Sequence, residues 1–189
     1  MKGQIRLLLP IALAIFGIGC SQTAPSATDH PPPPEVETDF ARLRGLLSGI
    51  QPSAEVTVFE GLPGSFWEPQ LREQELRRLP TFQLAGHPVY AEPLTVPTFQ
   101  TARFTEIFTS PAAYTPYTSG KACGEFQVDY GLQWSSTDGA TQVLICLECG
   151  EVQLHTPHGA LHCDLESDAA RQLQELLVGL RKNRPERQP

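Results

Sequence analysis

The sequence predicts an α+β domain: an antiparallel β-meander in the C-terminal half packed by a C-terminal helix, with a smaller mixed strand and helix half before it. Three observations carry this. GEFQVDYGLQWSS (124–136) alternates, placing Phe126, Val128, Tyr130, Leu132 and Trp134 on one side. Turn signals follow at Thr137-Asp138-Gly139 and Pro157-His158-Gly159. Leu173, Leu176, Leu177 and Leu180 then fall at i, i+3, i+4 and i+7, an apolar stripe suited to lying on a sheet.

The other elements follow from the same periodicities. Thr38 is a plausible N-cap for a helix carrying Phe40, Leu43, Leu47 and Ile50 at helical spacing. EVTVF (55–59) alternates as a strand, and GLPGSFWEP (61–69) reads as a loop ending in a helical first-turn proline. LREQELRRL (71–79) is a short helix with Glu73 and Arg77 at i,i+4. Thr81 to Val96 reads as two short strands broken at Gly86 to Pro88 and at Pro93, and Thr98 to Phe108 as a helix with an aromatic face. Residues 109–120 read as a loop, 141–147 as an apolar strand, and 151–156 with 160–165 as a hairpin. Ser167 is the expected cap of the last helix.

The chain divides unevenly. MKGQIRLLLPIALAIFGIGC has a basic head at Lys2 and Arg6, an apolar run from Leu7 to Ile18, and small residues before Cys20. This is a signal-peptide layout, and the apolar run is shorter than the roughly twenty residues that a membrane span needs. Residues 1–19 are therefore assigned as a leader. Residues 20–37 are assigned as a Ser-, Thr- and Pro-rich tether, stiffened by Pro31 to Pro34. A single globular domain over 38–182 and a basic tail over 183–189 complete the division, with the tail expected to be solvated. Removing a leader that holds Lys2, Arg6 and no acid makes the net charge of −7 more negative still. Nucleic acid is a poor partner for such a chain.

The Gly17-Ile18-Gly19-Cys20 ending resembles the lipobox of bacterial lipoproteins, departing from it at Gly17, where leucine is usual. The resemblance implies that Cys20 is lipidated and becomes the mature N-terminus. It implies a membrane partner through that anchor and a cell-envelope location. Ser21 after the cysteine implies the outer membrane if the cell has two. EGLPGSFWEP (60–69), KACGEF (121–126), VDYGLQW (128–134), QVLICLECGEV (142–152) and LHCDL (161–165) together resemble a family of uncharacterised bacterial secreted proteins and predicted lipoproteins. That resemblance implies an envelope home and no particular chemistry. The family carries a His-Pro after the first Cys-Gly, where this chain has Gln127-Val128, so no role for that histidine carries over.

Setting Cys20 aside leaves Cys123, Cys146, Cys149 and Cys163, which in an oxidising compartment suit two disulfides in any of three connectivities. If Gly139 centres one turn and Cys149-Gly150 the next, Cys146 lies beside Gln153, and if Pro157 to Gly159 centres the third, so does Cys163, which sets the two cysteines roughly 10 Å apart and beyond disulfide reach. The same register brings Cys149 near Gln127 and favours Cys123–Cys149. A bulge at Cys149-Gly150 leaves the alternatives open. The competing reading is a zinc site. Cys146-x-x-Cys149 in a tight turn can offer two thiolates, with His162, Cys163 and Cys123 as completing ligands, although the second Cys-x-x-Cys of a zinc ribbon is missing. A reactive redox pair is disfavoured, because the motif ends a strand rather than starting a helix.

Other chemistry is sparse. His155 and His158 flank a turn with Asp129, Glu148 and Asp164 near in sequence, a possible source of a base. No phosphate loop, dinucleotide fingerprint, nucleophile elbow or His-Glu-x-x-His occurs. Phe66 and Trp67 form either a contact patch or core plugs. The expectation is a lipid-anchored envelope protein with a non-catalytic binding or structural role, no cofactor, and a protein partner in the envelope. The alternative is a zinc-binding domain, which includes the possibility of an enzyme.

Overall fold

A computed structural model describes residues 36–51, 55–121 and 124–185. The leader, Cys20, most of the tether, Cys123 and the last four residues lie outside the described residues. The chain divides into units Met1–Pro32 and Pro33–Pro189, and all described residues belong to the second.

The second unit is an α+β fold built on one large, mainly antiparallel sheet. Its centre is the expected meander: β6 (Tyr130–Ser136), β7 (Gly139–Cys146), β8 (Glu151–Thr156) and β9 (Gly159–Leu165). β2 (Val56–Glu60) adds antiparallel to β6. At the other edge, β1 (Val36–Glu37) pairs parallel with the first half of β9, and β5 (Tyr114–Pro116) pairs antiparallel with its second half. Short strands thus cover an edge that would otherwise present unpaired backbone groups. A separate hairpin, β3 (Thr81–Leu84) and β4 (His87–Tyr90), is the second sheet. The helices are α1 (Leu43–Leu47), α2 (Pro69–Arg78), α3 (Thr98–Thr109) and α4 (Ser167–Val178).

The two faces of the meander have different jobs. Val58, Leu132, Val143, Leu154 and Leu161 are partners in register across five strands, and all are buried in the main core with Leu173 and Leu177 of α4 and Phe104 and Phe108 of α3. Truncating one of these leucines to alanine costs about 2–5 kcal/mol. On the opposite face, Phe59 and Leu144 form a smaller core with Leu84, Val89 and Val128, covered by the β3–β4 hairpin. Gly131 makes that seating possible, because a Cβ there would lie 2.3 Å from a Leu84 methyl.

Several boundaries differ from the sequence expectation. Val36 and Glu37, assigned to the tether, form β1, and Arg42 binds both Glu37 and the His158 carbonyl, fastening this segment beside β9. The stretch read as a loop at 109–120 contains a 3-10 turn (Pro111–Ala113) and β5. β6 starts at Tyr130 rather than near Gly124. Gln127 donates to the Leu62 carbonyl and Asp129 accepts from the Leu147 amide, so this stretch bonds outside a regular ladder. Val128 accordingly joins the small core while Tyr130 joins the main one. Asp39 caps the first turn instead of Thr38, and Glu166 caps α4 instead of Ser167, because its carboxylate accepts from the Asp168 amide at 2.8 Å.

The basic tail is docked as far as it is described. Glu60 Oε2 accepts the backbone amides of Lys182 and Asn183 at 3.2 and 2.6 Å. Arg78 Nη2 donates to the Asn183 carbonyl at 3.0 Å, and the Arg184 side chain is only 9% exposed. The buried Glu60 carboxylate, by receiving these two amides, replaces the water that a solvated tail would have kept.

Candidate functional site

The Cys/His stretch that dominates the sequence does not converge on one point. The turn between β7 and β8 spans 147–150, so Cys146 faces Glu151 rather than Gln153, a shift of two that keeps its direction. The β8–β9 pairing is instead shifted by one, so His162 rather than Cys163 faces Gln153 and Cys163 faces Val152. A one-residue slip reverses side-chain direction. Cys146 therefore shares its row with Glu151 and Asp164, while Cys163 shares the main-core row with Ile145 and Val152. Both are free, buried thiols, pushed up to about 11 for Cys146 and about 12 for Cys163, in each case mainly by burial. Cys149 is disulfide-bonded, and Cys123 lies outside the described residues. The proposed zinc ligands Cys146, Cys149, Cys163 and His162 are thus split between two faces and a disulfide. No group of three or more His, Cys, Asp or Glu among the described residues is placed to hold a metal.

His162 instead joins a polar network that the sequence did not single out. Glu151 and Asp164 are neighbours across β8 and β9. Lys121 reaches over both, at 2.7 Å from Asp164 Oδ1 and 3.4 Å from Glu151 Oε1, and donates to the Cys149 carbonyl at 3.0 Å. His162 Nε2 lies 3.1 Å from Glu151 Oε2, with Tyr117 stacked on its ring at 4.1 Å and Phe126 edge-on at 5.3 Å. Asp164 Oδ2 also accepts the Thr118 amide. Burial holds His162 below the usual histidine range, against the opposing pull of Glu151. The cation is spent on its two carboxylates and the imidazole on one of them. The network binds segment 117–121 to the sheet. His155, one of the two expected bases, is buried beside Gln153 and lowered to about 4 by desolvation, with His87 adding a smaller effect. His158 sits in the β8–β9 turn.

The aromatic pair occupies a different setting. Phe66 and Trp67 are 63% and 59% exposed, edge to face at 4.8 Å. Their loop is braced on both sides. Gly64 O accepts the Glu68 amide at 2.9 Å, Arg72 Nη1 donates to the Pro63 carbonyl at 2.9 Å, and the Gln127 side chain bonds Ser65 N and Leu62 O. Glu68, at the loop's end, meets the Gly64 amide and Arg184. Both large apolar rings are thus held outward on a braced backbone rather than folded back into the core.

Comparison of the chain with protein-family models, with curated proteins and with solved structures finds no match in any of the three. Among the described residues, no helix is long and apolar enough to cross a membrane.

Proposed function

We propose that this is a lipid-anchored envelope protein whose folded domain works by contact rather than catalysis, with Phe66 and Trp67 as the surface that a protein partner covers. The leader and Cys20 pattern supports the anchor, and Ser21 supports outer-membrane delivery in a cell with two membranes. The observation carrying the contact role is the exposure of both rings on a loop tied down at Pro63, Gly64, Ser65 and Glu68. Apolar area exposed on a rigid support gains from burial without a large ordering cost.

The test uses the full chain exported in its source cell. A photo-crosslinking amino acid at position 67 is expected to give one adduct of defined mass, abolished by Phe66→Ala. Cys20→Ser is expected to release the protein from the membrane fraction. Absence of any adduct, with the protein folded and anchored, sinks the contact role. Membrane retention of the Cys20→Ser protein sinks the lipid anchor.

A further inference from the structure

A cavity of about 110 Å³ lies between the first turn of α2, the β3–β4 hairpin and the stretch leading into β6. It has room for one small polyatomic ion and is well below the size of drug-like sites, about 300–1,000 Å³. Ser65, Arg72 and His87 line it. Arg72 is tied at one nitrogen, Nη1, which donates to the Pro63 carbonyl at 2.9 Å. Among the described residues, no carboxylate lies within ion-pair reach of Arg72, and its Nε and Nη2 make no hydrogen bond. Neither ring nitrogen of His87, nor the Ser65 hydroxyl, has a partner there. The unpartnered nitrogens of Arg72 and His87 are not sealed from water. With Nη1 engaged, the free Nε–Nη2 edge of Arg72 offers two parallel N–H donors, the fork that matches two oxygens of one anion.

The rest of the lining adds little competition. Gln127 is already engaged, its Oε1 accepting the Ser65 amide at 3.3 Å and its Nε2 donating to the Leu62 and Val128 carbonyls. Phe126 stands edge-on to the His87 ring at 5.7 Å. The one acid in the lining is Glu125, which is exposed and therefore screened by water. Burial and then Arg184 lower Arg72, burial and then Arg72 lower His87, and no acid contributes to either shift. The unmet groups are thus a half-buried cation, an imidazole and a hydroxyl. A carboxylate has two oxygens, which the arginine edge alone would satisfy. A tetrahedral oxyanion has a further oxygen for the other two donors. We infer that the cavity binds a phosphate group, free or as a phosphomonoester, with two oxygens on the Nε–Nη2 edge of Arg72 and a third taken by the His87 imidazole and the Ser65 hydroxyl.

The probe is sodium phosphate, titrated into the full chain at fixed pH and followed by NMR, against sodium chloride and sodium acetate at matched ionic strength. Saturable shifts at Ser65, the Arg72 Nε–H and the His87 ring are expected from phosphate. Arg72→Gln removes the charge while leaving a donor for the Pro63 carbonyl, and is expected to weaken binding at least about tenfold, the loss expected for one charged hydrogen bond. Glu125→Gln removes only the exposed acid and is expected to tighten binding about two- to fivefold, the size of an exposed charge interaction. It decides the matter if the Arg72 variant fails to fold. Glycerol phosphate binding more tightly than inorganic phosphate assigns the ligand as an ester, and the reverse order assigns the free ion. Shifts no larger than those from chloride, acetate binding as tightly as phosphate, or affinity unchanged in the variants that fold overturn the inference. Phe66 and Trp67 do not line this cavity, so their crosslink stands or falls separately.

Discussion

Arg184 Nη1 donates to Asp129 Oδ1 at 2.6 Å, and through this bond the end of the described chain is fastened to the residue that precedes β6. The same guanidinium reaches Glu68 Oε2 at 3.4 Å, so one side chain ties the C-terminal strap (residues 181–185), the start of the meander and the aromatic loop together. All three groups are largely buried, with exposures of 9%, 16% and 14% for Arg184, Asp129 and Glu68.

Arg184→Ala therefore leaves two shielded carboxylates without their cation. The expected loss is about 2–3 kcal/mol, toward the lower end of costs for breaking a buried pair because some water still reaches these groups. The urea midpoint measures it. A loss below about 0.5 kcal/mol, the ordinary size of a surface change, would mean that the strap contributes nothing to the fold.

The thiols make a second case. Cys146 and Cys163 are buried, and desolvation keeps both protonated at neutral pH. Alkylation at pH 7.5 is expected to leave both unmodified in the native protein and to label both after denaturation, because the thiolate is the reacting species. Peptide mapping of the same sample is expected to find Cys149 joined to Cys123, the pairing that the strand register favours. Labelling of native Cys146 at the rate of a free thiol would show that the β7 end opens readily.

Lys121 provides a third. Glu151 and Asp164 face each other across two strands, and Lys121 answers both. Lys121→Met keeps much of the stem's packing and removes the charge, at an expected cost of about 2 kcal/mol. A double-mutant cycle with Asp164→Asn should return a coupling above about 1 kcal/mol, since directly contacting charges do not add. Additive losses would mean that the observed 2.7 Å contact carries no net energy.

The meander was legible because its information is local. Alternation from Tyr130 to Trp134, the Asp138-Gly139 turn and the leucine stripe of α4 each specify themselves within a dozen residues. What escaped was set by partners far along the chain. β1 depends on Ala160 and Leu161, and β5 on Cys163 to Leu165, neither of which two- or three-residue strands can announce. The alternation running back to Phe126 was misleading because Gln127 and Asp129 spend their side chains on Leu62, Leu147 and Arg184. The Cys/His stretch was visible, but its meaning turned on a single residue of register between β8 and β9, which sets His162 rather than Cys163 beside Gln153. Glu60 and Arg184 left only faint marks, an acid closing an apolar strand and an arginine in a polar tail. Their importance comes from a separation of more than 120 positions between Glu60 and the amides that it holds.

Histidine burial sets a pH dependence of known sign. His155 is 6% exposed, and desolvation lowers it from 6.5 to about 4. The unfolded chain takes up a proton near pH 6.5, whereas the folded chain resists until about pH 4. The contribution of neutral His155 is therefore fully present above about pH 6.5 and is lost as pH falls toward 4. Its upper limit is about 3 kcal/mol, from 1.36 kcal/mol per pKa unit. His162 is also held low by burial and acts in the same direction. Denaturant melts at pH 7.0 and 5.2 stay largely above the range in which carboxylates titrate. Wild type is expected to lose stability between them. His155→Leu, which cannot take up a proton in either state, should lose about 1–2 kcal/mol less over the same interval. The His155 ring resonances should remain those of a neutral imidazole at pH 5.2. An imidazolium signal there, or equal pH slopes for the two proteins, would show that water reaches His155 in the folded state.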